Sequence, residues 1–277
     1  MRRTAALIVG GGPAGAAAAI ALATGGARPV VLERRRDVDD ALCGGFLSWQ
    51  SLETLEALGI AADALNRERI GRVRIFGGER VAEAALPSPG LAVSRRRLDA
   101  LLLQRAEAVG AGVERGVTVR WVEERRMEAD GTVMEADALF LASGKHEVRG
   151  VARPAAARGA DPALGLRLRL PAHPALARKV ADAVELHPFR GGYAGVARQE
   201  DGSVNLCMAV RRSRLREAGG PAALFAELAR EAPRLGERLG FAETLEGADA
   251  VANVPYGWRA KGTEAGVFRL GDQAGVI

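Results

Sequence analysis

Residues 7–22 read LIVGGGPAGAAAAIAL, so three apolar residues lead into a glycine cluster and then an alanine-rich run. This pattern predicts a short buried strand, a tight turn and a helix. Gly10, Gly12 and Gly15 follow the spacing Gly-x-Gly-x-x-Gly. The first glycine allows the turn, the second lets a pyrophosphate approach the backbone, and the third lets helix and strand pack closely. Pro13 and Ala14 open the helix, whose N-terminus offers free N–H groups to phosphate.

An acidic residue follows at a matching position. Residues 29–32 predict a second strand that ends at Glu33, and a carboxylate there accepts hydrogen bonds from ribose hydroxyls. Glu33 would repel a 2′-phosphate, which disfavours NADP, although Arg34 and the two arginines after it could accept one. The β-α-β unit therefore predicts a dinucleotide site and leaves the choice between NAD and FAD open.

The composition excludes several classes of protein. The 277 residues suffice for two compact domains, and the net charge of +5 comes from 39 basic and 34 acidic residues. Basic and acidic residues interleave, which favours a mixed solvated surface over a nucleic-acid-binding face. Peripheral contact with an anionic membrane surface stays open. No His, Cys and carboxylate residues cluster at ligand spacing, so we expect no metal site.

The cysteines and the N-terminus indicate the compartment. Cys43 and Cys207 are too few for a disulfide framework, which favours a cytoplasmic protein. The apolar N-terminal segment is similar to a signal peptide, but residues 10–13 interrupt it with three glycines and a proline. No other apolar run reaches roughly 18 residues, so we expect no transmembrane segment.

The rest of the chain alternates between helix and strand patterns. Residues 48–58 and 95–109 predict helices, and residues 132–135 close a predicted antiparallel meander. The apolar run at 138–142 predicts a separate, buried parallel strand. The LPSPG segment at 86–90 predicts a turn. Beyond residue 151, alternating segments predict further antiparallel strands.

Four segments, in their order along the chain, resemble FAD-dependent oxidoreductases of the geranylgeranyl reductase-like group, relatives of the aromatic hydroxylase flavoproteins. The CGGFLS segment at 43–48 is also similar to the Cys-Gly-Gly loop of geranylgeranyl reductases. The four segments are LIVGGGPAGAAAAIAL (7–22), SRRRLDALLL (94–103), LFLASGKHEVRG (139–150) and FRLGDQAGVI (268–277).

The resemblance implies an α/β fold: a doubly wound, Rossmann-like FAD-binding domain with a second, mostly antiparallel β-sheet substrate domain. The implied FAD-binding domain is discontinuous and comprises residues 1–70, 91–150 and 256–277. Residues 71–90 and 151–255 would form the substrate domain. In the family, the Gly-Asp pair leads into a long helix at the pyrimidine edge of the flavin. This chain ends at Ile277, where that helix would begin, so we expect a truncated family member.

The resemblance also implies FAD as the cofactor. Arg95 is expected near the phosphate or ribityl region, Ser143 and Gly144 leave room for the cofactor, and Asp272 accepts a hydrogen bond from a ribityl hydroxyl. The full set of expected cofactor residues is Gly10, Gly12, Pro13, Ala14, Gly15, Glu33, Arg34, Arg95, Ser143, Gly144, Gly271 and Asp272.

The implied activity is FAD-dependent redox chemistry on a hydrophobic, isoprenoid- or polyketide-like small molecule, with hydride transfer through flavin N5. Cys43 and Tyr193 are candidate catalytic residues; the alternatives are a small loop residue and a core aromatic residue. NAD(P)H as reductant would lack a Rossmann site of its own, or a redox partner would deliver electrons. Two other functions stay open: an FAD-dependent monooxygenase, and a non-catalytic flavin-binding fragment.

Overall fold

The computed structural model describes residues 2–262 and 264–276, apart from the side chains of Arg2 and Asn253. Met1 and Ile277, the outer limits of the expected FAD-binding domain, lie outside the described residues. Within the described part, no helix has the length and apolar character needed to cross a bilayer.

The chain forms two β-sheets with helices packed against them. The strands are β1 (Arg2–Val9), β2 (Pro29–Glu33), β3 (Phe46–Leu47), β4 (Ile70–Gly77), β5 (Arg80–Ala92), β6 (Gly112–Arg115), β7 (Val119–Glu123), β8 (Arg126–Ala129), β9 (Thr132–Leu141), β10 (Ala163–Leu170), β11 (Ala183–Phe189), β12 (Gly192–Arg198), β13 (Val204–Arg211), β14 (Asp249–Val254) and β15 (Val267–Arg269). The helices are α1 (Pro13–Thr24), α2 (Trp49–Ala57), α3 (Ala62–Leu65), α4 (Arg95–Ala108), α5 (Pro174–Val180), α6 (Arg212–Ala218), α7 (Pro221–Glu231) and α8 (Pro233–Leu239).

The first sheet has a parallel core in the order β6-β2-β1-β9, and β15 pairs with the carboxyl half of β9. Val9 pairs with both Leu32 and Leu141, so the carboxyl ends of β1, β2 and β9 meet at one edge. Helices α1, α2 and α4 pack on one face around Ile8 and Val31. The β7–β8 ribbon covers the other face through Val122 and other apolar side chains. This layering places the glycine turn at the open carboxyl edge of the sheet.

The second sheet runs in the order β14-β10-β13-β12-β11-β4-β5-β3, and every pair except β11–β4 is antiparallel. Alternate side chains such as Leu166, Leu206 and Val196 form a core with Phe225 and Leu228 of α7. The opposite face of this sheet therefore points away from these helices. A Rossmann-like unit beside a mostly antiparallel sheet confirms the expected fold class.

Two local expectations were wrong. Residues 86–90 do not form a turn between elements but lie within β5. Ile70 pairs with Gly90 whereas Arg72 pairs with Ala85, so the extra residues form a bulge, where proline is tolerated. The predicted segments 132–135 and 138–142 do not form two strands: Thr132–Leu141 is one strand, because its pairing with β1 spans both halves.

Candidate cofactor site

A groove of about 610 Å³ opens at the carboxyl edge of the first sheet. The glycine turn after β1, the loop after β2, the start of α4 and the loop after β9 form its walls, and Ala250 and Val251 of β14 lie at its border. In open α/β sheets, ligands bind in the crevice at the carboxyl ends of the strands. The volume is also in the range of small-molecule and cofactor sites.

Of the three glycines in the Gly-x-Gly-x-x-Gly spacing, the fold requires the first and the third but not the second. Gly10 has φ +103°, and a Cβ there would lie 2.5 Å from the carbonyl oxygen of Ala142. A Cβ on Gly15 would lie 1.9 Å from the carbonyl oxygen of Gly10. A Cβ on Gly12 would meet only Nη2 of Arg95, at 3.3 Å. The space above Gly12 is therefore free for a ligand, whereas Gly15 serves packing and does not line the groove.

Glu33 ends β2 at the groove, as its position in the sequence predicts. Its Oε2 accepts a hydrogen bond from the backbone N–H of Gly11 at 2.7 Å, and its Oε1 accepts one from the N–H of Arg35 at 3.0 Å. These bonds orient the carboxylate and leave further lone pairs to accept hydrogen bonds from sugar hydroxyls.

Arg95 begins α4 and lies beside the glycine turn. Its Nε and Nη2 donate to the two carboxylate oxygens of Asp99 at 2.8 and 2.7 Å. Burial raises the pKa of Asp99, although the hydrogen bonds and charge of Arg95 oppose that shift. Asp99 was not predicted as a site residue; the available signal was its spacing of four residues from Arg95 on a helix.

Two further pairs line the groove. Nη2 of Arg34 lies 2.7 Å from Nε2 of His146. Burial and the charges of Arg34 and Arg35 lower the pKa of His146, so its ring is neutral at pH 7 and accepts this hydrogen bond. Nζ of Lys145 donates to Oδ2 of Asp272 at 3.0 Å. Lys145 and Asp272 thus bring opposite charges to the end of the groove where the turns after β9 and β15 meet.

Those two turns are joined by side chains that sequence analysis missed. The buried Gln273 donates from Nε2 to the carbonyl oxygens of Gly144 at 3.0 Å and His146 at 2.9 Å. Arg153 donates from Nη1 to the carbonyl oxygen of Asp272 at 2.9 Å. No local pattern marks either residue, because each acts on a segment more than a hundred residues away in the chain. Ser143, Gly144, Gly271 and Asp272 all line the groove.

The two candidate catalytic residues lie in different places. Cys43 lines the groove. Tyr193 lines a second cavity of about 780 Å³, together with Tyr256 and Trp258. Burial raises the pKa of Cys207 to about 12, so this thiol is unreactive at neutral pH.

The glycine turn, the acid at the end of β2 and the small residues after β9 and β15 fit an adenine dinucleotide on steric grounds, because they leave the backbone open and place an acceptor beside it. The groove also holds cations, among them Arg34, Arg95 and Lys145, that suit a pyrophosphate. The donor set therefore fits FAD.

Comparison with known proteins agrees with this fit. The 6-methylpretetramide 4-monooxygenase of Streptomyces rimosus is 33% identical over 163 residues, 50% of this chain and 38% of that protein. The chloroplastic geranylgeranyl diphosphate reductase of Oryza sativa subsp. japonica is 35% identical over 125 residues, 43% of this chain and 26% of that protein. The chain thus matches well under half the length of these relatives.

A crystal structure of a flavoprotein/dehydrogenase from Cytophaga hutchinsonii superposes with a TM-score of 0.81 at 17% identity, and covers 99% of this chain and 72% of that chain. This likeness supports the fold. The family model described as FAD binding domain matches residues 3–150, more than half of the chain. This match confirms FAD as the expected cofactor, and the chain belongs to the FAD binding domain family.

Proposed function

We propose that this chain binds FAD along the groove and serves an oxidoreductase that acts on a hydrophobic, isoprenoid- or polyketide-like small molecule. The observation that carries the proposal is the convergence of Gly12, Glu33 and Arg95 on one groove at the carboxyl edge of a parallel sheet. Bound FAD supplies hydride transfer at its N5 atom. The protein supplies orientation, charge and exclusion of water.

Each groove residue has a proposed role. The N–H groups at the start of α1, among them that of Ala14, would hold the pyrophosphate, and Pro13, which has no N–H, would fix the first turn of the helix. Glu33 would accept hydrogen bonds from the ribose, and Arg95 would approach a phosphate or the ribityl chain. Asp272 would accept from a ribityl hydroxyl. We also propose the domain division stated above, with residues 1–70, 91–150 and 256–277 forming the FAD-binding domain.

The second cavity is our candidate substrate site. Ala194 and Val196 are buried under the helices of the second sheet, so Tyr193 points to the opposite face of β12. Tyr193 and Tyr256 are 47% and 43% exposed and offer flat apolar surfaces. Burial raises the pKa of Tyr256 to about 12, so its hydroxyl keeps its proton and can donate a hydrogen bond. This arrangement suits a flat, conjugated or apolar substrate that carries an oxygen acceptor.

The second candidate function is an FAD-dependent monooxygenase. The matched monooxygenase and the matched reductase are about equally similar to this chain, at 33% and 35% identity. Both functions need an electron donor, for which we propose NAD(P)H or a redox partner. We propose a cytoplasmic location, because the chain carries only two cysteines.

The first test is the absorbance spectrum of the purified protein before and after addition of FAD, with binding measured by fluorescence quenching. Glu33→Ala should weaken FAD binding by about 30-fold, because a hydrogen-bonded carboxylate at the ribose contributes about 2 kcal/mol. Glu79→Ala, an exposed glutamate in the β4–β5 turn, is the control and should bind like the parent. Equal affinity of the Glu33 variant and the parent would contradict the proposed site.

The second test separates the candidate activities. Anaerobic titration with NADPH should bleach the flavin absorbance, and a reductase should then saturate a double bond of its substrate without oxygen. A monooxygenase should form a hydroxylated product only after oxygen is admitted. Flavin that binds but is reduced by neither NAD(P)H nor a redox protein would favour the non-catalytic alternative.

A further inference from the structure

The loop between β2 and β3 carries Cys43 along the groove, and it contacts the second sheet through hydrogen bonds from Arg167 and Asn205. We propose that Arg167 and Asn205 of the second sheet are positioning residues that hold this loop, here called the Cys43 loop (residues 39–45), in place. Through Asp40, Arg167 also fixes the start of α4, which carries Arg95. The inference rests on the proposed role of the groove, and it names the residues through which the second sheet sets the groove's geometry.

Arg167 joins three segments that are distant in sequence. Its side chain lies on β10 and is 7% exposed. Nη1 and Nη2 donate to Oδ2 and to the carbonyl oxygen of Asp40, at 2.9 and 2.7 Å. On the other side, Nε and Nη2 donate to Oδ2 of Asp249 on β14, at 2.9 and 2.6 Å. One buried guanidinium thus attaches the Cys43 loop to two strands of the second sheet.

Asn205 holds the next part of the loop. It lies on β13, is 1% exposed, and donates from Nδ2 to the carbonyl oxygens of Cys43 and Gly44, both at 2.9 Å. The following residue, Gly45, has φ +77°, and a Cβ there would lie 3.0 Å from the carbonyl oxygen of Val93. The backbone on both sides of Cys43 therefore contacts side chains of the second sheet, and the positive φ of Gly45 disfavours any residue with a side chain there.

The same contacts reach the helix that carries Arg95. Oδ1 of Asp40 accepts a hydrogen bond from the backbone N–H of Arg96 at 3.2 Å, in the first turn of α4. Ser94, the N-cap residue, donates from Oγ and from N to the carboxylate of Glu200 at 2.5 and 2.9 Å. Glu200 belongs to the turn between β12 and β13. The second sheet therefore contacts the loop and the helix start together, and a displaced sheet would displace both.

Removal of Arg167 leaves Asp40 with a side chain that is 6% exposed and with Arg169 as its remaining charged partner. A buried carboxylate that loses a partner gains from exposure to water, so the loop should open. The reporter for this opening is Cys43, which is only partly buried. Cys207 does not interfere, because burial raises its pKa to about 12.

The test measures alkylation of Cys43 by iodoacetamide, followed by peptide mass mapping, in protein without FAD. Arg167→Met should raise the alkylation rate about tenfold, a typical coupling for residues in one network. Asn205→Asp, which replaces the donor with an acceptor facing two carbonyls, should raise it by a similar factor. Arg167→Lys should give an intermediate rate, because one ammonium cannot replace a two-sided guanidinium. FAD affinity should weaken in the same order.

The matched control is Arg214→Met. Arg214 is also buried, at 2% exposed, and pairs with Glu227 and Glu231 away from the groove. The Arg214→Met variant should have a lower melting temperature, but its rate of Cys43 alkylation and its FAD affinity should equal those of the parent. Alkylation rates within twofold of the parent in both Arg167→Met and Asn205→Asp would overturn the proposal. If one of the two fails to fold, the other decides. If the parent protein does not bind FAD, the proposed function fails, while the alkylation rates still decide this proposal.

Discussion

Two ion pairs, one at the groove and one between the second sheet and α8, differ in burial. At the groove, Lys145 and Asp272 have side chains that are 29% and 34% exposed. Between β11 and α8, the side chains of Glu185 and Arg238 are 0% and 6% exposed. The groove proposed for a pyrophosphate needs charges that a ligand can reach and reorient, and partly exposed pairs of this kind add little to stability. A buried pair cannot be reoriented by a ligand, and removal of one partner leaves the other charge buried with less compensation.

The largest loss of stability is expected when the buried pair is disrupted. Arg238 donates from Nε and Nη2 to Glu185 at 2.9 and 2.7 Å. Arg238→Met should lower the free energy of unfolding by about 4 kcal/mol, because the buried Glu185 loses its two hydrogen bonds from Arg238 and keeps a longer ion pair with Arg74, at 3.5 Å. Urea unfolding measures the loss. The exposed pair of Arg190 with Glu217 is the control, and Arg190→Met should cost less than about 1 kcal/mol. Equal losses of unfolding free energy in the two variants would show that burial does not distinguish the two pairs.

The same pair gives a pH dependence. Burial alone would raise the pKa of Glu185, but the hydrogen bonds from His187 and Arg238 outweigh it and lower the pKa below its ordinary value. The folded state thus holds this proton less tightly than the unfolded state. The stability that Glu185 contributes is present above its unfolded pKa and is lost as the pH falls through its folded pKa. In Arg238→Met, the deficit relative to the parent should therefore shrink on acidification.

The next largest effect belongs to the backbone of the groove. Gly15→Ala would place a Cβ 1.9 Å from the carbonyl oxygen of Gly10, so we expect a loss of about 3 kcal/mol in unfolding free energy and loss of FAD binding. Gly12→Ala is the matched variant for Gly15→Ala, because its Cβ would meet only the end of the Arg95 side chain. It should fold normally and bind FAD weakly. Normal FAD binding by Gly12→Ala would show that phosphate does not approach this backbone.

A smaller effect lies where the sheets meet. Ser94 caps α4 by accepting a hydrogen bond from the N–H of Arg97 at 3.2 Å, and it also donates to Glu200. Ser94→Ala should cost about 1 kcal/mol and weaken FAD binding severalfold, because the helix start that carries Arg95 loosens. Ser48→Ala removes the corresponding cap of α2, where Ser48 accepts from Ser51. This control should cost similar stability with no change in FAD affinity; a matching loss of affinity would contradict the argument.

The smallest effect is expected at His146. Burial and the charges of Arg34 and Arg35 lower its pKa below the ordinary 6.5. Between the folded and unfolded pKa values the unfolded state binds more protons, so this group makes stability fall as the pH drops below about 6.5. His146 is exposed, so solvent screens the effect. His146→Asn should flatten the melting temperature between about pH 5 and 7. If the melting temperature depends on pH as steeply in the variant as in the parent, His146 is not the source of this pH dependence.

The residues expected from local sequence signals lie together. The glycine spacing at 10–15, the acid that ends β2 and the turn at Gly271 and Asp272 each lie within a few residues of a strand end, and all of these except Gly15 line the groove. Sequence analysis was wrong or silent where pairing partners are remote. Residues 86–90 have the composition of a turn, yet Ile70 and Arg72 hold them in β5 as a bulge. Gln273 and Arg153 carry no pattern of their own, because their partners lie on other segments.

The amino-acid sequence by itself determined the β-α-β unit, its glycine turn and the family, because backbone sterics and strand or helix periodicity act over a few neighbouring residues. Only the tertiary structure decided that Cys43 lies in the groove while Tyr193 lines a separate cavity, and that Arg167 reaches Asp40 across 127 residues of chain. Hydrogen bonds and buried charge pairs depend on distance in space, and sheet order and register bring distant segments together in ways that no short stretch of sequence specifies.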